Sequence, residues 1–334
     1  MTERILLTHG SGGKTAHRLI EEVFLAAFDN PMLAAMEDSA TAEFSGRLAF
    51  TTDGFVVHPL FFPGGDIGKL AVCGTVNDLA MSGAVPLYLS LGLIIEEGLP
   101  VADLRRIIDS IAATAREAEV SIVTGDTKVV HRGKADGLFV TTAGVGRVRD
   151  GVSISSASAA PGDKILLNGT IGDHGVAVVS QREGLTFGGD VRTDCAPLGG
   201  LVAAMLEAAP GIRCLRDPTR GGVATTLNEI ADRSAVGIRL VEDALPIRPA
   251  VAGACEMLGF DPLYVANEGK VVAVVPADRA DAVLAAMRSH PYGREAAVIG
   301  EVTGDDPGRV TLRTRLGTTR IVEMLTGDLL PRIC

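Results

Sequence analysis

Residues 64–86 read GGDIGKLAVCGTVNDLAMSGAVP, and this stretch decides how the first half of the chain is organised. Its apolar residues recur at the spacing of one helix face, at Ile67, Leu70, Ala71 and Gly74. We therefore expect a helix from Asp66 to about Ser82, followed by a buried strand at 87–95. Asp66 suits an ordinary helix N-cap, and it also belongs to the acidic set that could contact a ligand.

Asp78 lies on the same apolar stripe, seven residues after Ala71. The pair Asn77 and Asp78 puts an amide and a carboxylate where a core would take leucine. Burying an unpaired carboxylate is costly, so a cation or strong donors must lie nearby. We expect Asp78 to contact a metal or ligand, with a structural salt bridge as the alternative.

The pattern of elements predicts an α/β chain of two domains. At 334 residues the sequence exceeds the size at which one core stops growing. Residues 1–152 form a sheet with helices packed on one side, and the stretch rich in Ser, Ala, Gly and Pro that follows marks the boundary. Residues 153–323 form a second α/β domain, and 324–334 form a flexible C-terminal tail.

Composition and charge exclude several functions. The net charge of −10 and the absence of a basic stripe argue against nucleic acid. No apolar run reaches the length of a membrane span, and the first residues do not resemble a signal peptide. Five scattered cysteines without a CxxC pair fit a reducing cytoplasm.

Two glycine-containing turns are candidate anion sites. The first, HGSGGK at 9–14, includes Gly12 and Gly13 and precedes a helix, but a simple N-terminal turn explains it as well. The second, RDPTRGG at 216–222, opens another helix. There, Arg220 and the N–H groups of Gly221 and Gly222 can bind an anion, or Asp217 or Thr219 can simply cap the helix.

Acidic residues recur at predicted strand ends and helix starts in both halves, at Asp38, Asp53, Asp66, Asp78, Asp126 and Asp217. Carboxylates in such places suit Mg²⁺ shared with phosphates. Positive partners are available at Lys14, Lys69, Lys128 and Arg220. Asp126 and Lys128 stand out, because they follow the predicted strand 120–124 together, where catalytic groups are often found. The set fits an ATP site, although no P-loop or dinucleotide fingerprint is present.

The last residue of the sequence is Cys334, in the ending PRIC. Eleven residues follow the last predicted strand, which ends near Glu323, and they can span about 36 Å when extended. A thiol on such a tether can reach a second protein and return to its own, with Ile333 as an apolar anchor and Pro331 limiting the entropy loss. A terminal cysteine without a role is the alternative. Glu268, in NEGK at 267–270, is a turn residue or a general base.

Several of these stretches together resemble the HypE family of hydrogenase maturation proteins. They are HGSGGK, residues 51–86, 124–130, RDPTRGG, NEGK and the terminal PRIC. The resemblance extends in order along essentially the whole chain. It places the chain in the superfamily of aminoimidazole ribonucleotide (AIR) synthetase and selenophosphate synthetase. It implies an N-terminal α/β domain whose strands pair across a homodimer, a C-terminal α/β domain, and ATP with Mg²⁺ between the two.

The resemblance also implies a function. The carbamoyltransferase HypF would load a carbamoyl group onto Cys334, and this chain would use ATP to dehydrate it to a thiocyanate. The cyano group would then pass to iron on the HypC–HypD complex. By motif, Glu268 is the expected base and Lys128 the electrostatic stabiliser. The expected metal contacts are Asp38, Asp53, Asp78 and Asp126. The expected nucleotide contacts are Gly12, Gly13, Asp66, Lys69, Asp217, Arg220 and Gly221.

Three other functions compete with this one. Selenophosphate synthetase carries its reactive residue in the N-terminal glycine-rich loop, where this sequence has Ser11. AIR synthesis needs no terminal thiol. A carrier that receives and passes on a group without catalysis would share the tail, and the buried Asp78 argues against it only in part.

Overall fold

The computed structural model describes residues 4–10, 14–34, 39–186, 189–327, 330 and 332–334. The predicted nucleotide contacts Gly12 and Gly13, the predicted metal contact Asp38, and Pro331 lie outside these residues. No helix in the described ranges is long and apolar enough to cross a membrane.

The first domain contains strands β1 to β6 and helices α1 to α5. The strands are β1 Leu48–Phe55, β2 Phe61–Phe62, β3 Gly65–Asp66, β4 Ala84–Glu96, β5 Ser121–Val130 and β6 Leu138–Val148. The helices are α1 Lys14–Leu19, α2 Ala26–Phe28, α3 Pro31–Ala34, α4 Ile67–Met81 and α5 Val101–Glu117. The helix expected from residues 64–86 is therefore confirmed as α4, and Asp66 is its N-cap.

Four strands of this domain form one sheet in the order β1-β6-β4-β5. Only the β4–β5 pair is parallel, whereas β1 and β4 both run antiparallel to β6. One face of the sheet packs against α4, which in turn packs against α5. The other face leaves Leu48, Phe50 and Ile94 exposed to solvent. A sheet with helices on one side only was expected, and the structure confirms it.

Two strands are longer than the sequence suggested. Asp53 was placed near a strand end but lies inside β1, paired with Thr142 of β6. Asp126 and Lys128 were expected in a loop, but β5 continues to Val130 and pairs with β4 along its whole length. Gly125 permits this continuation, because a Cβ there would lie 2.4 Å from the carbonyl oxygen of Leu91.

The second domain contains strands β7 to β13 and helices α6 to α10. The strands are β7 Lys164–Leu167, β8 Cys214–Arg216, β9 Gly237–Val241, β10 Val272–Val275, β11 Ala297–Thr303, β12 Val310–Arg313 and β13 Thr319–Val322. The helices are α6 Asp173–Glu183, α7 Gly199–Ala208, α8 Gly222–Ser234, α9 Pro249–Leu258 and α10 Ala280–Ser289. The seven strands form one sheet in the order β13-β12-β9-β11-β7-β10-β8. Separate apolar cores form where α8 packs on one face of this sheet and where α7 and α10 pack on the other.

The domains meet along α4, which packs against α7 and β8. The side chain of Asn77 on α4 is buried there. Its Nδ2 donates to the carbonyl oxygens of Ala196 at 3.0 Å and Glu268 at 3.3 Å, and its Oδ1 accepts from the backbone N–H of Leu198 at 2.7 Å. An amide on the apolar stripe therefore docks the second domain onto the first.

The cap formed by Asp66 yields the first testable prediction. Its Oδ1 accepts from the backbone N–H groups of Gly68 at 2.8 Å and Lys69 at 3.0 Å. We expect Asp66→Ala to lower the free energy of unfolding by about 1 kcal/mol. Asp66→Asn keeps an acceptor and should lose less. Urea denaturation measures the free energy of unfolding of both variants, and an ATP titration of the folded variants measures whether their affinity for the nucleotide has changed as well. A large loss of ATP affinity with unchanged stability would assign Asp66 to the nucleotide instead.

Candidate active site

A small cavity of about 60 Å³ brings together residues from both domains and the C-terminus. It is lined by Asp53, Gly54, Phe55, Gly74, Asp78, Asp217, Thr219, Arg220, Glu268 and Cys334. Strand β1, helix α4, the segment before α8 and the segment before β10 each contribute. Five of the site residues predicted from the sequence therefore share this cavity with the terminal cysteine.

Asp53 and Asp78 enter the cavity from the first domain. Asp78 on α4 accepts a hydrogen bond from Thr51 Oγ1 at 2.7 Å, and Asp53 on β1 accepts one from Thr75 Oγ1 at 3.3 Å. Burial, and then the charge of Asp78, raise the pKa of Asp53. Strand and helix approach closely because Gly74 has no side chain: a Cβ there would lie 2.9 Å from the ring of Phe55.

Asp217 and Arg220 enter from the second domain, just before α8. Burial raises the pKa of Asp217 to about 7, and the charges of Asp78 and Asp53 add to the rise. Neither Asp217 nor Thr219 caps α8 as expected, because the helix begins at Gly222 and its N-cap is Gly221, with φ at +79°. The N–H of Gly222 donates to the carbonyl oxygen of Thr219 at 3.0 Å, so it is not free for an anion.

Glu268 lies at the base of the cavity and is 4% exposed. Its Oε1 is buried and has no hydrogen-bond partner among the described residues. Its backbone N–H donates to Asp194 Oδ1 at 3.0 Å, which fixes the segment in place. Burial raises the pKa of Glu268 well above its usual range, and negative groups around it, among them Asp194 and Asp217, raise it further. A carboxylate with a raised pKa and a free oxygen can accept a proton from a substrate.

The three aspartates around this cavity fit a divalent cation. Asp53, Asp78 and Asp217 supply hard oxygen donors. Burial raises the pKa of Asp53 and Asp217, and the charge of Asp78 raises both further. Within the described ranges, no group of three or more His, Cys, Asp or Glu residues converges closely enough to hold a metal ion alone. The donor set therefore suits a cation that phosphate or water oxygens also coordinate.

The end of the chain reaches this cavity as a segment that turns at Arg332, where φ is +57°, and that is held by hydrogen bonds to its backbone oxygens. The carbonyl oxygen of Cys334 accepts from Val56 N–H at 3.3 Å, and that of Arg332 accepts from His58 N–H at 3.2 Å and from Arg182 Nη2 at 2.6 Å. The side chain of Ile333 is 3% exposed and packs into the core of the first domain, as its apolar character predicted. The predicted flexible tail is thus described in a docked position.

His174, at the start of α6, binds the carbonyl oxygen of Ile333, the residue between Arg332 and Cys334. Its Nε2 lies 2.8 Å from the carbonyl oxygen of Ile333, and its Nδ1 lies 2.8 Å from Thr193 Oγ1. The ring of Phe62 packs edge to face on the imidazole at 5.5 Å. Burial lowers the pKa of His174, although the charge of Asp194 opposes that shift. A neutral imidazole that donates from Nε2 and accepts at Nδ1 satisfies both contacts.

The contacts that dock the tail are balanced by the cost of ordering it. Burying the side chain of Ile333 contributes about 2 kcal/mol. Each of the four backbone hydrogen bonds contributes about 1 kcal/mol net. Fixing the backbone of three residues costs about 1–2 kcal/mol each, with side-chain entropy in addition. The docked and undocked states therefore differ by only a few kcal/mol.

Other predicted site residues lie elsewhere. Asp126 and Lys128 form an exposed ion pair at 2.9 Å and line a separate cavity of about 220 Å³ beside the N-terminal helices. Asp66 and Lys69 lie at the first turn of α4, where their hydrogen bond is that of the cap. Of the four aspartates predicted as one metal set, Asp53 and Asp78 line the cavity with Cys334, Asp126 lines the separate one, and Asp38 lies outside the described residues.

The sequence did not indicate His174 or Arg182 as parts of the site, and it indicated Asn77 only as a polar residue in an apolar position beside Asp78. GDHG at 172–175 was visible only as a helix start, and Arg182 lies nine residues after Asp173 on the same helix. These three side chains bind backbone carbonyl groups, which every residue has, so the sequence does not show where such contacts form. A polar residue on an apolar stripe was the one available signal, and for Asn77 that signal was present.

Protonation of His174 should weaken tail docking. Burial, to which the docked tail contributes, lowers the pKa of His174 below 6.5 and outweighs the charge of Asp194 and the hydrogen bond to Ile333, which raise it. The undocked imidazole therefore binds a proton more readily than the docked one. Docking is therefore strongest above pH 6.5 and is lost as pH falls toward the lowered pKa. We expect the amide protons of Val56 and His58 to lose protection against hydrogen exchange between about pH 7.5 and pH 5.5.

The matched control for this experiment is His174→Gln, which keeps a donor for the carbonyl oxygen of Ile333 but does not titrate. After correction for intrinsic exchange rates, its protection at Val56 and His58 should not change over the same pH range. An equal pH dependence in both proteins would exclude His174 as its source.

Comparison with known proteins agrees with this architecture. The family model for the AIR synthase related N-terminal domain matches residues 36–148, and that for the C-terminal domain matches residues 160–313. The carbamoyl dehydratase HypE of Azotobacter vinelandii is 58% identical over 329 residues, which cover 98% of this chain and 96% of that protein.

Solved structures give the same result. A crystal structure of the hydrogenase maturation protein HypE in complex with ATP has a TM-score of 0.95 and 50% identity, with 98% of this chain and 99% of that chain covered. A crystal structure of a HypE–HypF complex has a TM-score of 0.82 and 53% identity, covering 92% and 99% respectively. The chain belongs to the HypE family of hydrogenase maturation proteins, several of whose members carry the name carbamoyl dehydratase.

Proposed function

We propose that this protein is an ATP-dependent carbamoyl dehydratase that acts on its own C-terminal residue, Cys334. The substrate is the S-carboxamide of that cysteine and the product is the thiocyanate. Relatives that carry the name carbamoyl dehydratase support the reaction, and a relative solved with ATP supports the nucleotide. The thiocyanate would supply the cyanide ligands of a NiFe-hydrogenase.

The observation that carries this proposal is that Cys334 and Glu268 line the same cavity. The carboxylate has a raised pKa and an unpartnered oxygen, and the sulfur is delivered by a segment whose carbonyl groups are all hydrogen-bonded. Holding both groups in one pocket supplies much of the rate in such a reaction. A carrier that only transports a group has no use for a buried base beside its thiol.

The proposed chemistry makes the amide oxygen a leaving group. Transfer of the γ-phosphate of ATP to that oxygen converts it to a phosphate ester, and Glu268 accepts a proton from the amide nitrogen as phosphate departs. Mg²⁺, when bound by Asp53, Asp78 and Asp217, would neutralise charge on the phosphates. Arg220, at the mouth of the cavity, can pair with phosphate oxygens.

The remaining nucleotide contacts are proposed from the motif. Gly12, Gly13 and Gly221 would offer backbone N–H groups to phosphates, and Lys69 would offer a positive charge. Asp38 would add a further carboxylate. Asp66 is the weakest of this set, because both backbone N–H groups at the start of α4 already occupy its Oδ1.

Three further proposals concern partners and location. A solved complex of relatives pairs HypE with HypF, which supports HypF as the source of the carbamoyl group. The HypC–HypD complex is the proposed acceptor of the cyano group. All five cysteines are free thiols in the structure, which agrees with a cytoplasmic location.

We further propose a homodimer that forms through the open face of the first sheet. Leu48, Phe50 and Ile94 are exposed on this face, where a second copy would bury them. Lys128 lies directly beside Ile94 in the β4–β5 register and is 63% exposed. Because Lys128 does not line the cavity of its own Glu268, we propose that it acts in the site of the second subunit.

Complementation tests the shared site. Lys128→Ala and Glu268→Gln should each be inactive as homodimers. A mixed dimer would carry one intact site, made of Glu268 from the first variant and Lys128 from the second. Denaturing and refolding the two together should restore about a quarter of wild-type activity, since half of random dimers are mixed. No recovery, with dimers confirmed by sedimentation, would place Lys128 outside the partner's site.

The dehydratase step is tested by the mass of the tail peptide. Carbamoylated wild-type protein with Mg²⁺ and ATP should lose the mass of one water from its C-terminal peptide and release phosphate. Glu268→Gln should accept the carbamoyl group and bind ATP but turn over about 10²–10⁴-fold more slowly. Cys334→Ala should bind ATP and form no thiocyanate. An unchanged mass in the wild type would support the carrier instead.

A further inference from the structure

The last three residues of the chain are recognised as a peptide. Every backbone carbonyl from Arg332 to Cys334 accepts a hydrogen bond from the body of the protein. Two of those donors, the N–H groups of Val56 and His58, directly follow β1. The segment that they hold turns at Arg332, whose φ of +57° lies in the left-handed region. These hydrogen bonds are made to backbone oxygens, so they do not depend on whether the segment is covalently linked to the rest of the chain.

The donors keep their positions without help from the tail. His174 is fixed by Thr193 Oγ1 and by the edge-to-face contact with Phe62. Arg182 donates from Nε to the carbonyl oxygen of His58 at 2.8 Å. The groove is therefore largely formed before a peptide enters, which lowers the entropic cost of binding.

Side chains add selectivity for the sequence. Ile333 is buried against the core of the first domain, and Arg332 forms an ion pair with Asp136. Upstream, Leu330 packs on the same core and lies 3.5 Å from the position that a Cβ on Gly175 would take. Recognition thus spans about the last five residues of the chain.

We propose that this groove accepts the C-terminal peptide from a separate molecule, so that the enzyme dehydrates an S-carboxamide of a peptide ending in Arg-Ile-Cys in trans. This inference rests on the proposed function, because it uses the same Glu268 and the same reaction. The substrate class is a short peptide with a free C-terminal end and a carbamoylated cysteine. The covalent attachment of the tail raises the effective concentration of the peptide at the groove, but it makes no contact with the groove itself.

The reaction balances without a redox partner. The amide carbon loses its oxygen to the phosphoryl group of ATP, and its bond to nitrogen becomes triple. Both amide protons leave the nitrogen: Glu268 accepts one and passes it to solvent, the released phosphate carries the other away, and ATP becomes ADP. Because a short tether gives an effective concentration in the millimolar range, a free peptide must be supplied at about millimolar concentration to occupy the groove as fully as the tethered tail does.

The experiment uses the full chain with its own tail disabled. In Ile333→Asp/Cys334→Ala, the tail can neither bury its anchor nor react. This protein is mixed with Mg²⁺, ATP and the synthetic peptide Leu-Leu-Pro-Arg-Ile-Cys carbamoylated on sulfur, which copies residues 329–334. We expect saturable release of phosphate and loss of one water from the peptide. Ile333→Gly/Cys334→Ala is a second background, should the aspartate disturb the core.

Two controls test the groove itself. A peptide with Asp in place of Ile should react at least about tenfold more slowly at low concentration, since the apolar anchor is lost. Adding His174→Ala to the background should raise the KM for the peptide by about the same factor, with a smaller effect on kcat. Equal rates for both peptides would show that the groove does not select the substrate and would overturn the inference.

The carbamoylated wild-type protein is assayed in parallel, which separates two kinds of failure. If its own tail is dehydrated while the peptide is untouched at up to about 10 mM, well above the effective concentration of the tether, the inference is wrong and the proposed function stands. If neither tail nor peptide is dehydrated, the proposed function fails together with the inference.

Discussion

The buried amide of Asn77 is the contact on which the site depends. It sits on α4, one residue before Asp78, and binds the carbonyl oxygen of Glu268 together with two groups of the segment before α7. The carboxylates of the two domains are thereby held around one small cavity. An amide without partners in that place would cost about 1–3 kcal/mol, so the interface forms with these bonds made. The position of Glu268 relative to Asp78 follows from this one side chain.

Electrostatic strain is concentrated in the same place. Asp53, Asp78, Asp217 and Glu268 line one cavity. Burial raises the pKa of Asp53, Asp217 and Glu268, and the negative charges around each of them raise it further. In a chain with a net charge of −10, the free energy lost to this repulsion must be recovered from the rest of the fold. Behind the cavity, Asp194 is held by Lys270 at 3.0 Å in a buried ion pair and by the N–H of Glu268. A cation with phosphate ligands would relieve the repulsion on entering.

Local patterns in the sequence predicted the positions of helices and strands well, but they did not predict how these elements pair and how the two domains dock. Helix α4 was predicted from the spacing of Ile67, Leu70, Ala71 and Gly74, although the helix is buried on nearly all sides, between the first sheet, α5 and the second domain. The extent of β5 did not follow, since pairing with β4 carries it past a glycine that reads as a turn. The grouping of Asp217 with Asp53 and Asp78 depends on how two domains dock. The groove for the tail is built from backbone groups, so spacing in the sequence cannot show it.

The placement of the five cysteines has a consequence for how the protein is modified. Four of them are buried, and burial raises the pKa of Cys214 to about 12, that of Cys255 to about 11 and that of Cys195 well above its usual range. An electrophile that approaches the folded protein therefore meets a single accessible sulfur, on Cys334. Modification is therefore selective for Cys334 because the other four thiols are buried. An enzyme that donates a group to this protein does not need to distinguish among its cysteines.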